Sequence, residues 1–228
     1  SNGLGYPLMA NLSSQFYPIT FLGLFIPNFL YSLKLQVFFH LLLAGFSCFY
    51  LLKILKNNSL SAALGAVVYV VNVYTLLVTY SGFLSEIISL VWMPLTIAFF
   101  WQTLFEKKRV FAICTGIALA MHVISMGLYS LYFTSIVLLL LAIYYFLYAV
   151  LIGKNSILST LWEICIDGFI ISVVFIGLSA VKLFPVIEYS KLSVRDKYPL
   201  YGDKTWELST FGSIKRYLFN FLIPSNVI

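Results

Sequence analysis

The chain has 228 residues, of which 61% are hydrophobic and 10% charged, with a formal net charge of +6. A water-soluble domain carries about 25% charged residues, so too few polar side chains remain to cover a soluble surface. Many of the cations stand at the ends of apolar stretches, which is a membrane-topology pattern and argues against nucleic acid as a partner.

Uncharged stretches run for 29 residues (57–85), 19 residues (87–105) and 44 residues (110–153). About 20 apolar residues cross a bilayer core, and runs such as 136–148 (IVLLLLAIYYFLY) lack the two-residue alternation of barrel strands. The expected fold is an all-α, polytopic helical membrane bundle of about six transmembrane helices with interfacial helices.

In chain order, residues 19–31 are apolar but short, preceded by Pro18 and interrupted by Pro27, and are expected to lie at the interface or re-enter. The first span is predicted over Leu33 to Leu55, the second over Leu60 to Tyr80 and the third over Ile87 to Phe105. The following 44 residues would make one helix of roughly 66 Å, too long for a single crossing. They must turn back, and Ser125-Met126-Gly127 is the expected turn between a fourth span from Val110 and a fifth from Leu128 to Ile152. A sixth runs from Glu163 to Pro185, with Asp167 and Lys182 near enough to its ends to snorkel. This gives an interfacial segment over 1–32, a bundle over 33–185 and an outer segment over 186–228, in which 214–223 (IKRYLFNFLI) has the pattern of a helix lying in the membrane surface.

Lys53 and Lys56, then Lys107, Lys108 and Arg109, then Lys154 occupy alternate loops, whereas 80–85 and 125–129 hold no cation. The positive-inside rule makes the three basic loops cytoplasmic and both ends extracytoplasmic, against which stand Lys34 and the seven cations between Lys182 and Arg216. Cys48, Cys114 and Cys165 fall in apolar segments with no paired ligand spacing, so neither a disulfide framework nor a structural zinc is expected.

The opening Gly5-Tyr6-Pro7-Leu8-Met9-Ala10-Asn11 and Gln15-Phe16-Tyr17-Pro18 resemble the "G-Y-P-L-x-A … F-Y-P" stretch of the bacterial YfhO-like membrane proteins. In order come His40-Leu41 with Ala44-Gly45 and Tyr50, Trp92-Met93-Pro94-Leu95, and Pro185, Glu188, Ser193 and Arg195 in a P-x-x-E-x-x-x-x-S-x-R pattern, followed by Leu222-Ile223-Pro224. The resemblance spans essentially the whole chain. It implies a GT-C-type glycosyltransferase of the bacterial cytoplasmic membrane, using a polyprenyl-phosphate sugar donor and a glycan or cell-envelope polymer as acceptor. It also implies that the catalytic carboxylate lies before Ser1, in a loop this chain lacks, so the chain is expected to be part of a longer protein.

Four sets of residues invite chemistry. Glu86, alone in its charge in the second outer loop, could bind a divalent metal or phosphate, or simply suit a helix N-terminus. His122 is titratable near the outer end of the fourth span and could face a cavity or make an interhelical hydrogen bond. Glu188, Lys191 and Arg195 could hold a donor phosphate, Arg bidentately and Lys as a point charge, or form a surface network of little energetic weight. Glu163 and Asp167, four residues apart, invite a proton-relay reading but are expected to mark the water interface, and His40, in mid-helix, is expected to pack. A transporter or lipid-linked-substrate flippase is the competing function. Transporters keep polar residues at the midplane, where this sequence is almost wholly apolar.

Overall fold

The computed structural model describes residues 17–153 and 156–190. Among them there are helices and no strands, and five helical segments are long and apolar enough to cross a membrane: Phe29–Ile54, Ser59–Tyr80, Leu84–Glu106, Leu128–Ile152 and Ile157–Glu188. The chain is thus an all-α helical bundle compatible with a multi-pass membrane protein. A sixth apolar helix, Arg109–Ile124, is shorter, about 24 Å long at 1.5 Å per residue.

The predicted interfacial stretch is a five-residue helix α1 (Pro18–Leu22) and one 3₁₀ turn (Gly23–Phe25). Helix α2 (Phe29–Ile54) begins four residues before the predicted span, because the Asn28 side chain accepts the backbone N–H groups of Leu30 and Tyr31. The predicted second span is two helices, α3 (Ser59–Val70) and α4 (Val73–Tyr80). Asn72 causes the break: its Oδ1 accepts the Thr75 N–H at 2.9 Å and its amide donates to the Tyr69 carbonyl, so a new N-terminus forms inside the apolar run.

Helix α5 (Leu84–Ser89) leads into α6 (Trp92–Glu106). Pro94 is tolerated in the first turn of α6, where its missing N–H would have no helical partner. Helix α7 (Arg109–Ile124) turns at 125–127 into α8 (Leu128–Leu147), which ends in a π turn over Tyr148–Ile152. Helix α9 (Ile157–Ser190) starts six residues before the predicted sixth span and continues five residues past Pro185. A proline removes one N–H and its own rung of the ladder, and the helix resumes beyond it. The chain divides into two compact units, 1–185 and 186–228, at that point.

The segment Leu84–Glu106 is the hub: 67% of its apolar window is buried, against 11% for that of α8 and of α9. Ala44 of α2 packs on Leu90 and Val91, while Phe100 and Leu104 of α6 pack with Ala112, Leu119, Tyr145, Ala149 and Ile171. Helices α7 and α9 cross closely at Gly116, where a Cβ would stand 2.8 Å from the Ile171 carbonyl oxygen and from Val174 Cβ. Five buried hydroxyls are satisfied by their own helices: Ser47, Thr96, Thr103, Thr115 and Thr134 each donate to the carbonyl four residues before, at 2.6–2.9 Å. In an apolar medium this is the cheapest way to carry an O–H.

One face of α8 reads as lipid-facing. Tyr129, Tyr132 and Phe133 are exposed near one end, Tyr144 and Tyr148 near the other, with Ile136, Leu139, Leu140 and Ile143 between them. Tyr129 and Tyr148 are nineteen residues apart, about 28 Å along a helix and close to the hydrocarbon thickness of a bilayer. Aromatic belts of this kind sit at the two membrane surfaces.

Candidate functional site

The polar groups collect at the two ends of the bundle. At one end, Tyr50 Oη donates to Gln102 Oε1 at 3.0 Å, bringing the last turns of α2 and α6, and so Lys53, Lys56 and the Lys107–Arg109 cluster, to the same end. Lys107 donates to both Glu163 oxygens at 3.1 and 3.3 Å, and that carboxylate holds its ammonium above the usual lysine range. The pair, with Arg109, Tyr145 and Asp167, lines a cavity of about 160 Å³. Glu163 therefore forms an ion pair with a second helix hairpin, half exposed and weak by that exposure.

The opposite end holds the two predicted catalytic candidates. Glu86 is not in a solvated loop: it lies in α5 and is only 6% exposed. Its carboxylate faces the backbone N–H groups of Tyr129 and Ser130 and accepts the Tyr74 hydroxyl at 3.4 Å, while the Ser89 hydroxyl, 3.5 Å from it, donates to the Glu86 carbonyl at 2.7 Å. It is a cap supplied from another helix. Gly127, at the N-cap position of α8, has no side chain to do this, and a carboxylate against the first-turn amides suits both their unsatisfied donors and the helix dipole.

His122 is fully buried, and its Nδ1 lies 2.8 Å from Ser130 Oγ. Ser130 Oγ also donates to the Gly127 carbonyl at 3.1 Å. A hydroxyl has one proton, so both bonds are satisfied together when the imidazole carries its proton on Nδ1. Nε2 is then a bare acceptor, and it has no hydrogen-bond partner among the described residues. Glu86 and His122 thus converge on one residue, Ser130, the first through its amide and the second through its hydroxyl.

Close packing locks this arrangement. A Cβ on Gly127 would stand 2.1 Å from Ser89 Cβ and 2.3 Å from Ser89 Oγ, so α5 sits directly against the turn. The positive φ of that turn is taken by Met126 at 61°, and Gly127 is there for space. Beside Glu86 runs a groove of about 480 Å³ walled by Tyr74, Val78, Phe83, Met126, Leu128 and Phe133, with Glu86 as its only charged lining residue among those described. Its wall includes Tyr129 and Phe133 from the exposed aromatic end of α8.

Tyr74, Ser89 and Ser130 were not singled out from the sequence. Ser89 follows Glu86 by three residues and could have been placed on its face, whereas nothing local pairs Tyr74 or Ser130 with it. His40 packs as expected, with Nδ1 at 2.6 Å from the Gln36 carbonyl and Nε2 at 3.3 Å from the Tyr17 hydroxyl. Burial pushes that phenol up to about 12. Glu188 is exposed near the end of α9. Lys191, Arg195 and the stretch 214–223 lie outside the described residues. Among the described residues no three His, Cys, Asp or Glu side chains gather as a metal site.

No known protein family, curated protein or solved structure matches the chain.

Proposed function

We propose that this chain is the membrane domain of a glycosyltransferase that moves a sugar from a polyprenyl-phosphate donor to an extracytoplasmic glycan or envelope polymer. The observation that carries the reading is the groove beside Glu86: apolar walls, one carboxylate, and a rim at the aromatic end of α8's lipid-facing stripe. A lipid-linked sugar needs that combination, an apolar lane for its chain and a polar group at headgroup depth. The resemblance of Pro185, Glu188, Ser193 and Arg195 to the YfhO-like pattern supports the same reading.

In this scheme Glu86 accepts a hydrogen bond from a sugar or acceptor hydroxyl at the groove while remaining tied to α8. His122 is fully buried and does not line the groove, so its part is to fix Ser130 beside Glu86. Arg195 and Lys191, with Glu188 orienting them, hold the donor phosphate. A divalent cation at the phosphate is compatible with this chemistry. The membrane is the bacterial cytoplasmic membrane, with the Lys53, Lys107 and Lys154 loops inside and the Glu86 end outside.

The test is transfer of radiolabelled sugar from polyprenyl phosphate by the full-length protein in proteoliposomes. Arg195→Ala should weaken donor binding at least tenfold, the loss of a charge-assisted hydrogen bond of roughly 1.5–3 kcal/mol. Arg195→Lys should recover part of it. Transfer unchanged in both Arg195→Ala and Glu86→Gln at matched folding would remove these residues from the reaction. Passage of the labelled lipid between leaflets without transfer would favour a flippase instead.

A further inference from the structure

Lys34 stands five residues inside α2, exposed, and makes no ion pair with any carboxylate among the described residues. It sits at the end of α2 away from the basic loops, where the positive-inside rule gives a cation no reason to be. A charge placed in the first turns of an apolar helix needs a counter-charge or water at the membrane surface.

Two cavities meet at this residue's face of α2. One, of about 560 Å³, is lined by Ile26, Tyr31, Lys34, Leu35 and Phe38, with Lys34 as its only charged group among the described residues. The other, of about 430 Å³, runs between α2 and α3, begins at the same Phe38, passes Gly45 and ends at Phe49, and has no charged lining residue among those described. Residues 31, 34, 38, 42, 45 and 49 recur at helical spacing, so the two form one stripe along α2. Its floor is low because Gly45 faces Ala63 and Ala66, and a Cβ on Gly45 would already touch Val70 at 3.4 Å. From Lys34 to Phe49 the helix rises about 22 Å, short of the roughly 30 Å hydrocarbon core. A groove that begins at a cation and stops short of the far surface suits the acyl chain of a phospholipid and not a polyprenyl chain long enough to reach across.

We propose that α2 holds an anionic phospholipid, its phosphate on Lys34 and one acyl chain in the groove against α3. The site is independent of the Glu86 groove and of the activity proposed for it. A lone lysine is a point charge, matched to a headgroup carrying one net negative charge and poorly matched to a zwitterionic one.

The purified protein, offered equal amounts of phosphatidylglycerol and phosphatidylcholine in mild detergent, can be read by native mass spectrometry for retained lipid. Phosphatidylglycerol should be retained about fivefold more, the discrimination worth one basic residue at a membrane surface. Lys34→Gln should bring the ratio close to one, and Gly45→Leu should lower retention of both lipids by filling the groove. Because Gly45→Leu also presses on Val70, Val67→Trp, which covers the groove from an exposed position on α3, should give the same loss. Glycerol phosphate, a headgroup without chains, should not compete. Equal retention of the two lipids, an unchanged ratio in Lys34→Gln, or full competition by glycerol phosphate would each overturn the proposal.

Discussion

Replacing Gly127 by alanine tests whether the α5–α8 contact is as tight as described. The new Cβ would start 2.1 Å from Ser89 Cβ, whereas ordinary contact begins at 3.4 Å, so the two segments must part by about 1.3 Å. Ser89 is fully buried and cannot swing away. Overpacking of this kind costs about 1–3 kcal/mol, and parting the segments also pulls Glu86 from the amides of Tyr129 and Ser130, a lost cap worth about 1 kcal/mol. A total of about 2–4 kcal/mol should lower Tm by on the order of 10 °C in a chain of this size. The assay is thermal unfolding of the purified protein in one detergent, followed by tryptophan fluorescence. Ser89→Gly removes the obstructing atoms and should restore much of what Gly127→Ala loses, a coupling of at least about 1 kcal/mol. Strictly additive losses, or a Gly127→Ala protein as stable as the parent, would show that α5 does not rest on this turn.

Lys56 ends α2 at φ 63° and is exposed. A left-handed residue with a Cβ costs about 1–2 kcal/mol, partly offset in glycine by chain entropy, so Lys56→Gly should raise Tm by a few degrees. Ser130→Ala should destabilise by about 1–3 kcal/mol, because it leaves His122 Nδ1 buried without a partner, whereas Ser135→Ala on the exposed face of the same helix should change little. Both are read by the same unfolding assay. In cells, with the three native cysteines replaced, Lys56→Cys and Lys154→Cys should resist an impermeant thiol reagent added from outside, and ready labelling would reverse the proposed topology.

The number of apolar elements, their order and the turn at 125–127 were legible from charge spacing and span length alone, since both follow from the bilayer's thickness. The break at Asn72 was not, because hydropathy averages over one amide in an apolar run, yet that amide creates a helix end. Gly127 illustrates a subtler failure. Glycine in a turn suggests positive φ, but Met126 takes that conformation and Gly127 is small for the sake of Ser89, a neighbour 38 positions away. Glu86 was expected in an outer loop or at a solvated helix N-terminus and is instead buried in α5, whereas the interhelical hydrogen bond open to His122 is present, to Ser130 of α8. The two meet at Ser130 through packing that no local pattern encodes.

The cap on α8 also bears on how the chain enters a membrane. Glu86 precedes the helix it completes, with α6 and α7 between them. Because synthesis proceeds from the N-terminus, the carboxylate is already made when the first turn of α8 emerges, so that turn finds its acceptor on arrival. Running the order backwards would leave bare amides waiting in an apolar medium, at several kcal/mol each in hydrocarbon. A circular permutant starting at Leu128 should therefore insert poorly even though every helix in it is intact.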